Sequence, residues 1–284
     1  MKPVKLIECP RDAMQGWKES IPTTTKIEYI NQLLKVGFDT IDFGSFVSPK
    51  AIPQMADTKE VIEQLDLSNT HTKLLAIVAN VRGAQHAATY KKIDQVGYPF
   101  SVSPSFQMRN ANSTIDESFE RVKEIRTICR EANKELVIYI SMAFGNPFND
   151  VYSESSILNW IKKLINEGIE IISLADTVGV ATASQVGTLV KKVITTFPKI
   201  ETGVHLHASA DGWRSKIEAA YKEGCSRFDG SLNGVGGCPM ADDELVGNMN
   251  MQNMINFFKE VEVAPYLNEN ALNKAIRMAN SIFK

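Results

Sequence analysis

The chain has 284 residues, 44% hydrophobic and 23% charged, a balance that fits a folded globular protein and excludes disordered and fibrous classes. Its 31 Lys and Arg against 33 Asp and Glu leave a net charge of -2, so no electrostatic footprint for nucleic acid or an anionic membrane is present and a small-molecule ligand is expected. The first residues, Met1 to Glu8, lack the apolar run of a secretory signal, and no stretch nears the roughly 20 apolar residues of a membrane span, so a cytoplasmic protein is expected.

Taken in chain order, short apolar and β-branched runs predict strands at 4–9, 38–44, 73–78, 95–102, 136–141, 169–174, 203–207 and 227–231. Helical spacing fills intervals between them at 24–36, 115–133, 155–167, 183–196, 213–223 and 245–261, several with Ser or Thr before them and Gly behind, as at Gly37, Gly168 and Gly224. A final helical run covers 268–283. Strand followed by helix, eight times over, predicts an α/β fold: a single (β/α)8 TIM barrel with an additional C-terminal helix. The rival is an open doubly wound sheet. The phosphate fingerprint such folds often carry is missing after the first strand, where Cys9-Pro10-Arg11-Asp12 stands instead. About 150 residues per domain would give two domains, but a barrel alone takes about 250. With no linker or low-complexity segment, residues 1–284 are expected to form one catalytic domain.

Parallel barrel strands are buried on both faces, so polar side chains at their C-terminal ends ask for a reason. Glu8, Arg11 and Asp12 follow the first strand, Asp42 and Ser45 the second, Ser141 the fifth, Asp176 and Thr177 the sixth, His205 and His207 the seventh, and Asp229 and Ser231 the eighth. Thr177, Asp229 and Ser231 read equally well as caps or ion-pair partners. In His205-Leu206-His207 both imidazoles face one way, because residues i and i+2 of a strand share a side. Alone, they would fit two hydrogen-bonded core histidines. With Asp12 and a carboxamide such as Asn248 they supply two nitrogens and two oxygens, a set for Mg²⁺ or Mn²⁺ at least as well as for zinc. His71 and His86 read as surface residues.

Four cysteines form no CxxC pair, against both a disulfide framework and a zinc knuckle. Cys9, Cys129 and Cys225 sit in strand or helix patterns and are expected in the core. Cys238 differs, because Gly234-Val235-Gly236-Gly237-Cys238-Pro239 is a glycine-rich loop after the eighth strand. It reads as a loop that folds over the barrel mouth and delivers the thiol, as a phosphate cradle, or as a plain turn.

Glu8-Cys9-Pro10-Arg11-Asp12-Ala13-Met14-Gln15, Ser45-Phe46-Val47-Ser48-Pro49-Lys50 with Ile52-Pro53-Gln54-Met55, Asp176-Thr177-Val178-Gly179-Val180, His205-Leu206-His207 and Gly236-Gly237-Cys238-Pro239 with Gly247-Asn248 occur in this order. Together they resemble the 3-hydroxy-3-methylglutaryl-CoA lyase family of metal-dependent TIM barrels, over nearly the whole chain. The resemblance implies cleavage of 3-hydroxy-3-methylglutaryl-CoA to acetyl-CoA and acetoacetate, with an acyl-CoA as small-molecule partner. Carried over by position, Asp12, His205, His207 and Asn248 would hold a divalent cation, Mg²⁺ or Mn²⁺ before zinc. Arg11 would stabilise the enolate oxygen, Asp12 or His205 would act as base, and Cys238 would protonate the enolate carbon. Gln15 and Asp42 would hold neighbouring groups in place, with Asp176, Gly236 and Gly237 around them. The chain departs from the family pattern at Ala13-Met14, at Asp42 in place of a glutamate, at Ala208-Ser209 after the histidines and at Phe144-Gly145-Asn146-Pro147, which leaves the acyl group accepted open. Another carbon–carbon lyase or aldolase on this scaffold, or a non-catalytic acyl-CoA-binding relative, is the alternative. A homodimer is expected as the commonest closed assembly.

Overall fold

The computed structural model describes residues 3–208, 211–237 and 247–284. All eight expected strands form: β1 (Lys5–Glu8), β2 (Thr40–Ser45), β3 (Lys73–Ile77), β4 (Gln95–Ser101), β5 (Glu135–Ser141), β6 (Ile171–Ala175), β7 (Glu201–His205) and β8 (Arg227–Gly230). They pair in sequence order as a closed parallel barrel, β8 returning to β1 with Glu8 opposite Gly230. Parallel pairing aligns every strand in one direction, so all eight C-terminal ends open on one face.

The helices between them start and stop where local chemistry dictates. α6 (Ile115–Glu131) opens on a capping box in which Thr114 accepts from the Glu117 N–H and Glu117 reaches back to Thr114, and α8 (Ala183–Thr196) repeats this with Thr182 and Gln185. Gly168 and Gly224 stop α7 (Glu154–Asn166) and α9 (Trp213–Lys222) with φ of 83° and 95°, values that cost a side-chain-bearing residue strain. α2 (Thr23–Leu34), α10 (Met251–Glu260) and α11 (Glu269–Ile282) complete the set foreseen from periodicity.

Two sequence expectations change. The helix expected at 245–261 begins only at Met251, because Asn248 bridges to His207 and Asn250 serves as the N-cap, accepting from the Asn253 N–H. The strand expected at 203–207 ends at His205, and His207 lies beyond it in that isolated bridge. The short helices α1 (Pro10–Gln15), α3 (Thr58–Glu63), α4 (Val81–Ala88) and α5 (Pro104–Ala111) were not foreseen, being too short to show a periodic apolar stripe.

The main core lies between strands and helices, where Ile41, Val96, Ile138 and Leu174 meet Leu33, Ile125 and Leu189. A smaller cluster of Leu75, Val137, Tyr139 and Ile171 fills the barrel interior. Arg227 shares that interior, fully buried, donating to Glu201 at 3.2 Å and Gln95 at 3.3 Å. It fits because Gly203 lies opposite it: a Cβ at 203 would come within 2.9 Å of the Arg227 Cδ.

Candidate active site

Pro10 sits at the first position of α1, where its missing N–H costs nothing and its fixed φ turns the chain directly off β1. Arg11 and Asp12 are thereby carried onto the open face, both buried. Arg11 grips Asp42 of β2 as a fork, Nε donating at 3.0 and 3.2 Å and Nη2 donating to Oδ2. Its Nη1 donates to Asp12 at 3.1 Å and to Gln15 Oε1 at 2.8 Å, which leaves one Nη2 hydrogen without a partner among the described residues. Gln15 returns a hydrogen bond to Asp12 Oδ1, so four side chains hold one another.

Across the mouth, Asn248 donates its Nδ2 to Asp12 Oδ2 at 2.7 Å and to the Val235 carbonyl at 2.9 Å. With the amide nitrogen committed, the Asn248 Oδ1 is left buried and without a partner. The Nε2 atoms of His205 and His207 face each other at 3.3 Å, and His205 Nε2 lies 3.9 Å from Asp12 Oδ2. The donor atoms of Asp12, His205 and His207 all fall within 4.8 Å of one another. Asp229 of β8 accepts from His205 Nδ1 at 3.3 Å, so that ring is oriented from its far side with Nε2 directed at the cluster, and the Thr177 backbone lies beside the His207 ring. Two imidazole nitrogens, a carboxylate and an orphaned carboxamide oxygen fit a divalent cation, which would supply the partner that Asn248 Oδ1 lacks.

Electrostatics agree. Burial works against the Asp12 carboxylate, but Arg11, both histidines and the Asn248 amide hold its pKa below the usual value. Burial and the neighbouring His205 push His207 down to about 4, which keeps it neutral and able to ligate. Burial also opposes charge on His205, yet the hydrogen bond to Asp229 and the charges of Asp229 and Asp12 raise it overall. Asp42 is pushed up to about 6 by burial, and Arg11 limits that rise.

Arg11, Asp12, Gln15, Asp42, His205, His207 and Asn248 thus lie together at the barrel mouth. Asp176 is buried behind them, accepting from Lys216 at 2.8 Å and from the Ala181 N–H, with its own N–H donating to the His205 carbonyl at 3.0 Å. Gly236 packs directly on Asn248 and Asp12, where a Cβ would lie 2.5 Å from Asn248 Nδ2 and 2.8 Å from the Asp12 carbonyl. Gly237 follows with a φ of 146°, and Cys238 lies outside the described residues. Cys9, Cys129 and Cys225 are buried and free, and His71 and His86 are exposed, as expected. The Cys9 thiol lies within 4.8 Å of the His205 and Asp229 donor atoms, but burial and the surrounding carboxylates push its pKa up and hold it protonated. One contributor goes unrecognised in the sequence, Lys216, which carries no signal beyond an ordinary helix-surface lysine; Asp229 is noted there at the end of the eighth strand but reads as a cap or ion-pair partner, and the structure pairs it with His205.

A family model described as HMGL-like matches residues 4–279. The mitochondrial hydroxymethylglutaryl-CoA lyase of Arabidopsis thaliana is 33% identical over 239 residues, 84% of this chain and 51% of that protein, so the chain spans about half the length of that relative. A 3-hydroxy-3-isohexenylglutaryl-CoA/hydroxy-methylglutaryl-CoA lyase of Pseudomonas aeruginosa is 30% identical over 272 residues, 95% of this chain and 90% of that protein. The structure of an HMG-CoA lyase from Acinetobacter baumannii, in complex with coenzyme A and 3-methylmalate, is similar with a TM-score of 0.91 at 30% identity, covering 99% of this chain and 91% of that one. With barrel, site and matched length in agreement, the chain belongs to the HMGL-like family.

Proposed function

We propose that the protein is a divalent-metal-dependent carbon–carbon lyase that cleaves 3-hydroxy-3-methylglutaryl-CoA to acetyl-CoA and acetoacetate, with residues 1–284 acting as one catalytic domain. The observation that carries this reading is the unpartnered, buried Asn248 Oδ1 beside the converging Asp12, His205 and His207. These four residues would hold Mg²⁺ or Mn²⁺, with zinc less suited to the mixed oxygen and nitrogen set. When bound, the cation supplies Lewis-acid stabilisation of charge and a fixed point for substrate oxygens.

The chain's own residues account for the remaining steps of a retro-Claisen cleavage. Asp12 or His205 accepts the proton of the tertiary alcohol. The alkoxide electrons form the ketone of acetoacetate as the bond between C2 and C3 breaks, and the electron pair of that bond passes into the thioester enolate. Arg11 stabilises the enolate oxygen, because Asp42, Asp12 and Gln15 fix its guanidinium while one Nη2 hydrogen stays free for it. Cys238, which follows Gly236 and Gly237, donates the proton that converts the enolate carbon to the methyl group of acetyl-CoA.

A longer branch at C3 is the second reading, favoured by the name of the P. aeruginosa relative. The proposed partner is thus an acyl-CoA, the proposed assembly a homodimer and the proposed compartment the cytoplasm; among the described residues no helix is long and apolar enough to cross a membrane. Purified protein given Mg²⁺ or Mn²⁺, a thiol reductant and 3-hydroxy-3-methylglutaryl-CoA should release acetoacetate and acetyl-CoA in equal amounts. Release only from the 3-isohexenyl analogue would shift the assignment to that substrate. No product from either, under both metals, would leave a non-catalytic acyl-CoA-binding protein.

A further inference from the structure

Lys216 of α9 is 6% exposed, and all three hydrogens of its ammonium are spoken for. Nζ donates to Asp176 Oδ2 at 2.8 Å, to the His207 carbonyl at 2.7 Å and to the Gly179 carbonyl at 3.3 Å. Asp176 and Gly179 bound the turn after β6, closed by the Gly179 N–H donating to the Asp176 carbonyl at 3.0 Å. That same turn contains Thr177, whose backbone lies beside the His207 ring. The ammonium therefore ties the His207 main chain to the turn next to its imidazole.

His207 needs such a tie. β7 ends at His205, and beyond it, among the described residues, the His207 main chain is held by the isolated bridge to Asn248 and by Lys216. A ligand displaced by a few tenths of an ångström loses affinity, and outer contacts of metal-binding histidines are worth about 10- to 100-fold in metal affinity.

We propose that Lys216 is a positioning residue for the metal centre, clamping the His207 carbonyl to the Asp176–Gly179 turn so that the imidazole is presented to the cation; this rests on Asp12, His205, His207 and Asn248 being the cation ligands. Its positive charge does not oppose the cation by itself, because Asp176 neutralises it at 2.8 Å. A plain structural ion pair is the competing explanation. It is separable, because the Asp176 side chain reaches Lys216 and the Ala181 N–H, whereas the Lys216 side chain donates to the His207 carbonyl.

The test is a Mn²⁺ titration of the full chain without substrate, free Mn²⁺ being followed by electron paramagnetic resonance, for wild type, D176N, K216M and the D176N/K216M double variant. Methionine keeps the apolar stem of the lysine, and the double variant buries no lone charge, so it carries the comparison should K216M alone fail to fold. D176N keeps the bond from Lys216 to the His207 carbonyl but leaves the ammonium charge uncompensated, so it should bind Mn²⁺ somewhat more weakly than wild type, and the double variant roughly 10- to 100-fold more weakly. A double variant that binds as tightly as wild type would reduce Lys216 to a counter-ion of Asp176, and a loss in D176N equal to that of the double variant would give the role to Asp176. Wild-type protein that binds no Mn²⁺ would overturn the ligand assignment itself, a result distinct from wild type and variants binding alike.

Discussion

At the scale of single residues, the site is a set of side chains each held by another that is itself held. Asn248 is placed by donating to Asp12 and Val235, His205 by Asp229, and Arg11 by Asp42. If Cys238 is the proton donor and His207 a ligand, C238A should lower acetoacetate turnover far more than Mn²⁺ content, while H207A should lower both. Equal metal loss in the two would contradict those roles. Glu8 is a second kind of residue, buried beneath the site with Oε1 accepting from the Leu232 N–H at 2.9 Å and Oε2 unpartnered. Burial raises its carboxyl to about 8 from the ordinary 4.5, the Leu232 bond opposing this. The folded state thus holds a proton that the unfolded chain gives up above pH 4.5, so this contribution is fullest below pH 4.5 and is lost as pH rises towards about 8. E8Q keeps the acceptor and cannot ionise. Its stability relative to wild type should climb from pH 5 to pH 8 by up to about 1.4 kcal/mol per pH unit, measured by urea denaturation, and a constant difference would show that Glu8 does not titrate in this way. The proposed ligand residues are legible because their types are unusual at barrel strand ends. Lys216 is not, because nothing in a helical stretch with charged neighbours marks one lysine as turned inward.

At the scale of elements, the strands were legible from composition and the longer helices from period and caps. The capping box of α6 is one such signal, and T114A should cost about 1 kcal/mol in thermal or urea unfolding while leaving turnover unchanged, since Thr114 is exposed and contacts none of the site residues. The two misplaced boundaries share a cause. His207 and Asn248 belong by local sequence to a strand and a helix, but they bridge to each other instead, because the site needs both side chains at one point. The short helix α1 escaped notice for a similar reason, its residues being chosen for the site rather than for an apolar stripe. In the segment after β8, Gly236 has a φ of 108° and no room for a Cβ against Asn248 and Asp12. G236A should therefore weaken Mn²⁺ binding and turnover together by at least about 10-fold, since one added carbon must displace ligand-holding groups. Normal metal affinity in G236A would mean that this segment is not packed on the ligands as described.

At the scale of the molecule, the barrel explains why residues as distant in sequence as Asp12 and Asn248 meet in one cluster. Closure of eight parallel strands sends every C-terminal end to the same mouth, and only this brings α1, the end of β7 and the segment before α10 together. The interior below the mouth is polar as well as apolar, with Arg227 buried between Glu201 and Gln95 and its Nε 4.0 Å from Asp229 Oδ1. Such an arginine could not be foreseen, because a strand reading R-F-D-G gives no hint that its charged members turn inward to a space opened by Gly203. The proposed function requires a cation held by Asp12, His205, His207 and Asn248 and used to break a carbon–carbon bond. The most direct measurement is acetoacetate release from 3-hydroxy-3-methylglutaryl-CoA by protein stripped with a chelator and then supplied with Mg²⁺ or Mn²⁺. Turnover should vanish on stripping and return with either ion; undiminished turnover by the metal-free protein would contradict it.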